Sequence, residues 1–236
     1  MNMLRLIATG ARDCASAVAR VVTLLAVFLG LAGCSLLMSK PVSPPAFYTL
    51  DGGQSLAPGV PARVRDGPEA GLTLIIASTV ASAGFDSPHL MYTREAHRLE
   101  YFAHSLWVDT PARMLTPLIA AAVTRDGVIR AAVLAEGVPS GELRLLTQIE
   151  CLQQDFGVHP SRVRFTLRAT LVDEETHRVL ATREFDQVQE AASEDPYGGV
   201  VAANRAVATA LLALAAFTND VARDLGTARA RAGRPR

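Results

Sequence analysis

The sequence predicts an α/β (α+β) domain of two layers: a mixed β-sheet with two helices packed on one face. Three observations lead there. Val163, Phe165, Leu167, Ala169 and Leu171 alternate with Arg164, Thr166, Arg168 and Thr170 almost without fault, which marks an antiparallel strand with one wet face. Residues 72–77 form a continuous apolar run, as a strand covered on both faces does. Val200, Val207, Leu211, Leu214, Thr218, Val221 and Leu225 recur at helical spacings, giving a stripe that must be buried against something. One sheet face is the large apolar surface available to it, hence two layers.

The elements follow in order. Phe47 to Leu50 suit a short strand, and the Gly- and Pro-rich stretch 51–71 a loop. After the run at 72–77, Gly84, Asp86 and Pro88 turn the chain into a hairpin of residues 89–93 and 98–102. Thr110-Pro111 offers a hydroxyl cap followed by proline at the first helical position. Leu115, Leu118, Ile119, Ala122 and Val123 keep one face of this helix apolar to about Arg125, with Pro117 a candidate kink. Asp126-Gly127 ends it, and residues 128–134 return as a strand. A meander of 143–156, 163–171 and 179–188 follows, with a turn at 173–177, and Asp195-Pro196 opens the long C-terminal helix. Residues 226–236 are rich in Arg, Ala and Gly and read as a disordered tail, with Arg229, Arg231, Arg234 and Arg236 either frayed or touching anionic lipid or peptidoglycan.

The N-terminus carries an export signal. Arg5, Arg12 and Arg20 precede an apolar run of about a dozen residues, the length of a signal-peptide core and short of the roughly 20 a spanning helix needs. The run closes on Leu31-Ala32-Gly33-Cys34, which resembles the bacterial lipobox. The resemblance implies cleavage before Cys34, diacylglycerol on its thiol and an acyl chain on its amino group. Several chains make a durable anchor where one is marginal. Ser35, in place of the aspartate that marks inner-membrane retention, points to the outer membrane facing the periplasm. The expected organisation is therefore signal peptide 1–33, lipidated tether 34–46, domain 47–225 and tail 226–236.

Composition excludes several functions. The export segment holds three of the 23 basic residues and one of the 23 acidic ones, so the mature chain is near neutral, without the basic stripe that nucleic acid requires. Lys40 is the only lysine and sits in the tether, which rules out a P-loop and a Schiff-base lysine. Cys151 alone remains in the mature domain, so no internal disulfide forms; in phase with Leu145 and Ile149, it reads as a buried, inert thiol.

Catalytic constellations are missing. His89, His97, His104, His159 and His177 lack metal-ligand spacing, no Gly-x-Ser-x-Gly surrounds a serine, and the acidic run 173–175 falls in a turn where charge is solvated. No cofactor is expected beyond the covalent lipid on Cys34, and no enzymatic activity. Tyr92, Arg94, Glu100, Tyr101 and Trp107 gather aromatics and charge in one hairpin region of an otherwise aromatic-poor chain, the composition of an interface hot spot. Tyr92, Arg94, Tyr101 and Trp107 are the candidate partner interface; the alternative buries Tyr101 and Trp107 beneath the first helix.

Several stretches in this order resemble a family. They are Phe47-Tyr48-Thr49-Leu50, the run at 72–77, Met91-Tyr92-Thr93-Arg94, Leu99-Glu100-Tyr101-Phe102 and Leu106-Trp107, then a helix with Pro111 and Leu115 near its start. The chain is similar over about residues 47–222 to the ABC-type transport auxiliary lipoproteins, which include the lipoprotein partner of paraquat-inducible, MCE-type (mammalian cell entry) lipid transport systems. Val108-Asp109, where many members have Ala-Glu, and Pro117 depart from the pattern. The resemblance implies no catalysis. It implies an outer-membrane component docking an MCE-domain protein and an inner-membrane ABC permease, with homo-oligomerisation as a further expectation. A periplasmic lipid carrier, with lipid held between helices and sheet, and a stand-alone envelope-stabilising lipoprotein are the alternatives.

Overall fold

The structure is a computed structural model that describes residues 44–52, 72–125, 128–135 and 140–232. Cys34, the signal segment, the 51–71 loop beyond Gly52 and the last arginines lie outside these residues. The elements in order are β1 (Ala46–Tyr48), β2 (Leu72–Ile76), β3 (Val80–Ala81), β4 (His89–Thr93), β5 (Leu99–Trp107), α1 (Pro111–Val123), β6 (Ile129–Leu134), β7 (Leu143–Asp155), β8 (Arg162–Asp173), β9 (Val179–Glu190) and α2 (Pro196–Ala232).

One long strand organises the sheet. Along one edge β7 pairs antiparallel with β8, and β8 with β9, the expected meander. Along its other edge β7 receives three short strands in succession, all parallel: β2 at 143–145, β3 at 148–149 and β4 at 154–155. The two-residue β3, not anticipated from the sequence, is the middle link. β6 lies outside β2, and β5 then β1 lie outside β4. The sheet thus forks around β7 and holds nine strands among the described residues.

Both helices cover one face, with α2 lying on β8, β9 and β7 and against α1, as the apolar stripe required. Leu143, Leu145, Ile149, Phe165, Leu167, Leu171, Leu115, Ile119, Val207, Leu211 and Leu214 fill the space between the layers and are fully buried. Each such side chain contributes about 1.5–3 kcal/mol over an exposed one. Leu74, Ile75 and Ile76 are all buried, so β2 is covered on both faces as its composition predicts. By length and composition α2 could cross a membrane. Its buried Val200, Val207, Leu211, Leu214 and Phe217 are instead spent on the sheet, which makes it a core helix.

Four expectations need correction. Cys151 does not follow the phase of Ile149: a bulge sets Glu150 and Cys151 against the single residue Thr166, so Cys151 turns to the open face and Leu152 resumes the inward phase. Burial still pushes its thiol up to about 11, with Arg164 pulling weakly the other way, so it stays protonated. Thr110 makes no side-chain cap; its backbone N–H donates to Asp109 Oδ1 at 2.7 Å. Residues 226–232 are not a disordered tail but the last turns of α2. Finally, Asp173 is not solvated. It is buried, accepts the Glu175 and Thr176 amides at 2.9 and 3.2 Å, and meets Arg229 Nη2 at 3.2 Å. Arg229 also reaches Glu175 at 3.1 Å. The acidic turn and the basic tail therefore neutralise one another.

Candidate functional site

The β4–β5 hairpin divides the four candidate interface residues among three environments. Strand alternation puts Tyr92, Glu100 and Phe102 on one face and Met91 and Tyr101 on the other. Tyr92 stacks on Phe102 at 4.5 Å between ring centroids and meets the edge of Phe156 at 5.7 Å. The Arg94 guanidinium lies over Tyr92 at 5.1 Å and Phe156 at 6.0 Å, two cation–π contacts. Among the described residues no carboxylate forms a salt bridge with Arg94. Glu100, the cross-strand partner of Tyr92, instead pairs with Arg98 at 2.8 Å. Its hydrogen bond to the phenol, with burial adding to the effect, raises the Tyr92 pKa and keeps the ring neutral. Tyr92 and Arg94 are thus a pre-formed unit, an exposed cation on an aromatic platform.

Tyr101 stands on the opposite face, 58% exposed and against His89 at 4.5 Å between centroids. The structure therefore does not bring it together with Tyr92 and Arg94. Trp107 is a correction: at 4% exposure it belongs to the core and cannot reach a partner. Phe102 and Phe156 complete the platform and were missed in the sequence. Phe156 lies 64 residues from Tyr92, and only the pairing of β4 with the end of β7 places them side by side.

A second feature lies beside β1, at the start of the described chain. β1 and the first turns of α2 border an open groove of about 530 Å³, with Phe47 and Tyr48 on one wall and Tyr197, Val200, Val201 and Arg205 on the other. Asn204 spans its floor. Its Oδ1 accepts the Asp51 and Gly52 amides at 2.7 and 3.0 Å, while its Nδ2 donates to the Thr49 and Val200 carbonyls, both at 3.1 Å. That one carboxamide fixes the entering chain to the helix, and Gly52 turns away at φ +69, a conformation glycine adopts freely. Asp195 caps α2 by accepting the Gly198 N–H at 2.7 Å, with Pro196 at the first helical position. Gly198 is required by close packing, because a Cβ there would strike the Ser193 backbone, whereas a Cβ on Gly199 would displace the Gln154 carboxamide.

Beneath the hairpin, Leu90, Phe102, Trp107, Leu152 and Val200 line a small, partly open space of about 20 Å³, room for about one water molecule. The open face of the meander is a polar ladder. Arg164 forks onto Asp186 at 2.8 Å, Arg168 reaches Glu150 at 2.8 Å, and Thr170 and Thr182 hydrogen-bond at 3.1 Å. Among the described residues no cluster of three or more His, Cys, Asp or Glu side chains could hold a metal ion.

Known proteins place this geometry. The model of a family described as the ABC-type transport auxiliary lipoprotein component matches residues 49–215, a span that includes the hairpin, the meander and most of α2. Among solved structures, the chain is similar to a DUF330 protein from Xanthomonas campestris, with 20% identity and a TM-score of 0.63 over 69% of this chain and 92% of that one. It is also similar to an uncharacterised protein, with 11% identity and a TM-score of 0.56 over 74% of this chain and 99% of that one. Both likenesses are of fold. A search of curated proteins finds no match.

Proposed function

The chain belongs to the ABC-type transport auxiliary lipoprotein family, and from that premise we propose that it is the outer-membrane component of an MCE-type lipid transport system, joining the MCE assembly to that membrane without catalysing a reaction. The family match carries the reading. The lipobox ending in Cys34, followed by Ser35, supports lipid attachment at the outer membrane. The Arg94–Tyr92–Phe156 platform supports docking, because an arginine already ordered over aromatic rings loses little freedom when a partner covers it. Enclosed lipid carriage draws no support from a space of about 20 Å³ between hairpin and helix.

Co-purification of the full-length lipoprotein from its native membrane tests this reading. An MCE-domain protein and ABC permease subunits are expected among the captured proteins. Arg94→Glu is expected to weaken their retention by about 2 kcal/mol or more, a hot-spot magnitude, with thermal stability unchanged. Capture with no MCE-domain protein present counts against the assignment.

A further inference from the structure

The side of α2 turned away from the sheet is almost uncharged. Between Pro196 and Asn219 the only Asp, Glu, Lys or Arg is Arg205. Tyr197 and Leu212 on that side are 63% and 55% exposed, Val201 and Ala208 are half-buried, and Ala216 is exposed. A helix on a soluble domain ordinarily turns charged residues outward. From Tyr197 to Leu212 the bare strip runs roughly 22 Å at 1.5 Å per residue, and at its N-terminal end it opens into the groove whose far wall carries Phe47, itself 62% exposed.

Three observations identify what covers it. Phe47 follows Cys34 by 13 residues, and a chain of that length reaches at most about 45 Å, so an acylated Cys34 would keep the groove within that distance of the bilayer. Arg205 shares the groove lining with the Asp51 carboxylate but forms no salt bridge among the described residues, so it presents a cation that suits lipid phosphate. Phe47 and Tyr197 flank it, and aromatic side chains, tyrosine with its polar tip above all, settle at the headgroup level of a membrane. Because the inner stripe of α2 is committed to the sheet, this helix can lie along a membrane and not across it.

We propose that Phe47, Tyr197, Arg205 and the outer side of α2 dock side-on against the anionic phospholipid surface of the anchoring membrane. The lipid on Cys34 then tethers the domain, while this face orients it. The proposal rests on the reading of Cys34 as acylated.

The test uses the full-length acylated protein in vesicles of phosphatidylethanolamine and phosphatidylglycerol. A fluorophore is attached to Tyr197→Cys and, for comparison, to Thr182→Cys on the open face of β9, both in a Cys151→Ser background. Lipids bearing a quencher near the headgroup are expected to quench position 197 several-fold more than position 182. Arg205→Glu is expected to abolish that difference while the protein still floats with the vesicles. Equal quenching at both positions in floating protein overturns the proposal, as does a difference that Arg205→Glu leaves intact. Self-contact between labels at position 197 would show a second copy on this face and also overturn it. Failure of the acylation reading is separately visible, because unaltered protein would then carry no acyl chain by mass spectrometry.

Discussion

Trp107 and Tyr101 share strand β5 and differ almost completely in environment. Trp107→Ala empties a buried site beside Leu90, Leu152 and Val200 and is expected to cost about 3–5 kcal/mol; Tyr101→Ser removes an exposed ring and should stay within about 0.5 kcal/mol. Chemical denaturation of the two variants compares them directly. Asn204 is the other residue whose removal spreads. Asn204→Ala deprives the Asp51 and Gly52 amides of their shared acceptor and Thr49 of a donor. Losing these partners is expected to cost about 1–3 kcal/mol, and hydrogen exchange should rise selectively at residues 49–52.

At the scale of elements, the β8–β9 turn and the end of α2 depend on each other. Burial alone would push the Asp173 carboxyl up, but the Thr176 and Glu175 amides and then Arg229 outweigh it and hold it below its ordinary value. Arg144, hydrogen-bonded to Glu174, and Arg164, hydrogen-bonded to Asp186, lower those two carboxyls as well. Three carboxylates depressed in the folded state stabilise it above their unfolded values near pH 4. That contribution is lost as pH falls through the lower folded values. Stability should therefore be nearly flat from about pH 7 to 5 and fall steeply below about pH 4, as urea titrations at stepped pH would record. Arg229→Ala removes one counter-charge from the largely buried Asp173. It should cost about 1–3 kcal/mol near neutrality and move the acid transition to higher pH. Truncation before Gly226 should do the same, because the last helical turns are what carry Arg229 to the turn.

On the proposed reading, the whole molecule divides labour between a lipid-bearing Cys34 and a folded body that docks partners. Cys34→Ser is expected to abolish incorporation of labelled palmitate and release the domain from the membrane fraction, with its fold unaffected, since among the described residues the buried core lies within residues 50–222. Much of that body was legible in advance. The meander, the hairpin, both helices and their placement on one sheet face follow from periodicity, because each such pattern is written within a dozen neighbouring residues and needs one buried face to be satisfied. The candidate site was legible only in part. Tyr92 and Arg94 are near neighbours and could be paired by inspection, but burial of Trp107 depends on Leu152 of β7 and Val200 of α2 arriving beside it, and the aromatic platform depends on Phe156 from just beyond the end of β7.

The lipobox-like run ending in Cys34, the near-neutral charge, the single lysine and the alternating strands are legible in the sequence alone, because each rests on residue identity or local spacing. Tertiary structure decided which faces those residues occupy. The extra residue at Glu150–Cys151 reverses the phase that simple alternation assigns. Asp173 meets Arg229 across 56 positions, and Asn204 meets Asp51 across 153. Such contacts arise only when packing brings distant segments together, and chain spacing carries no record of that distance.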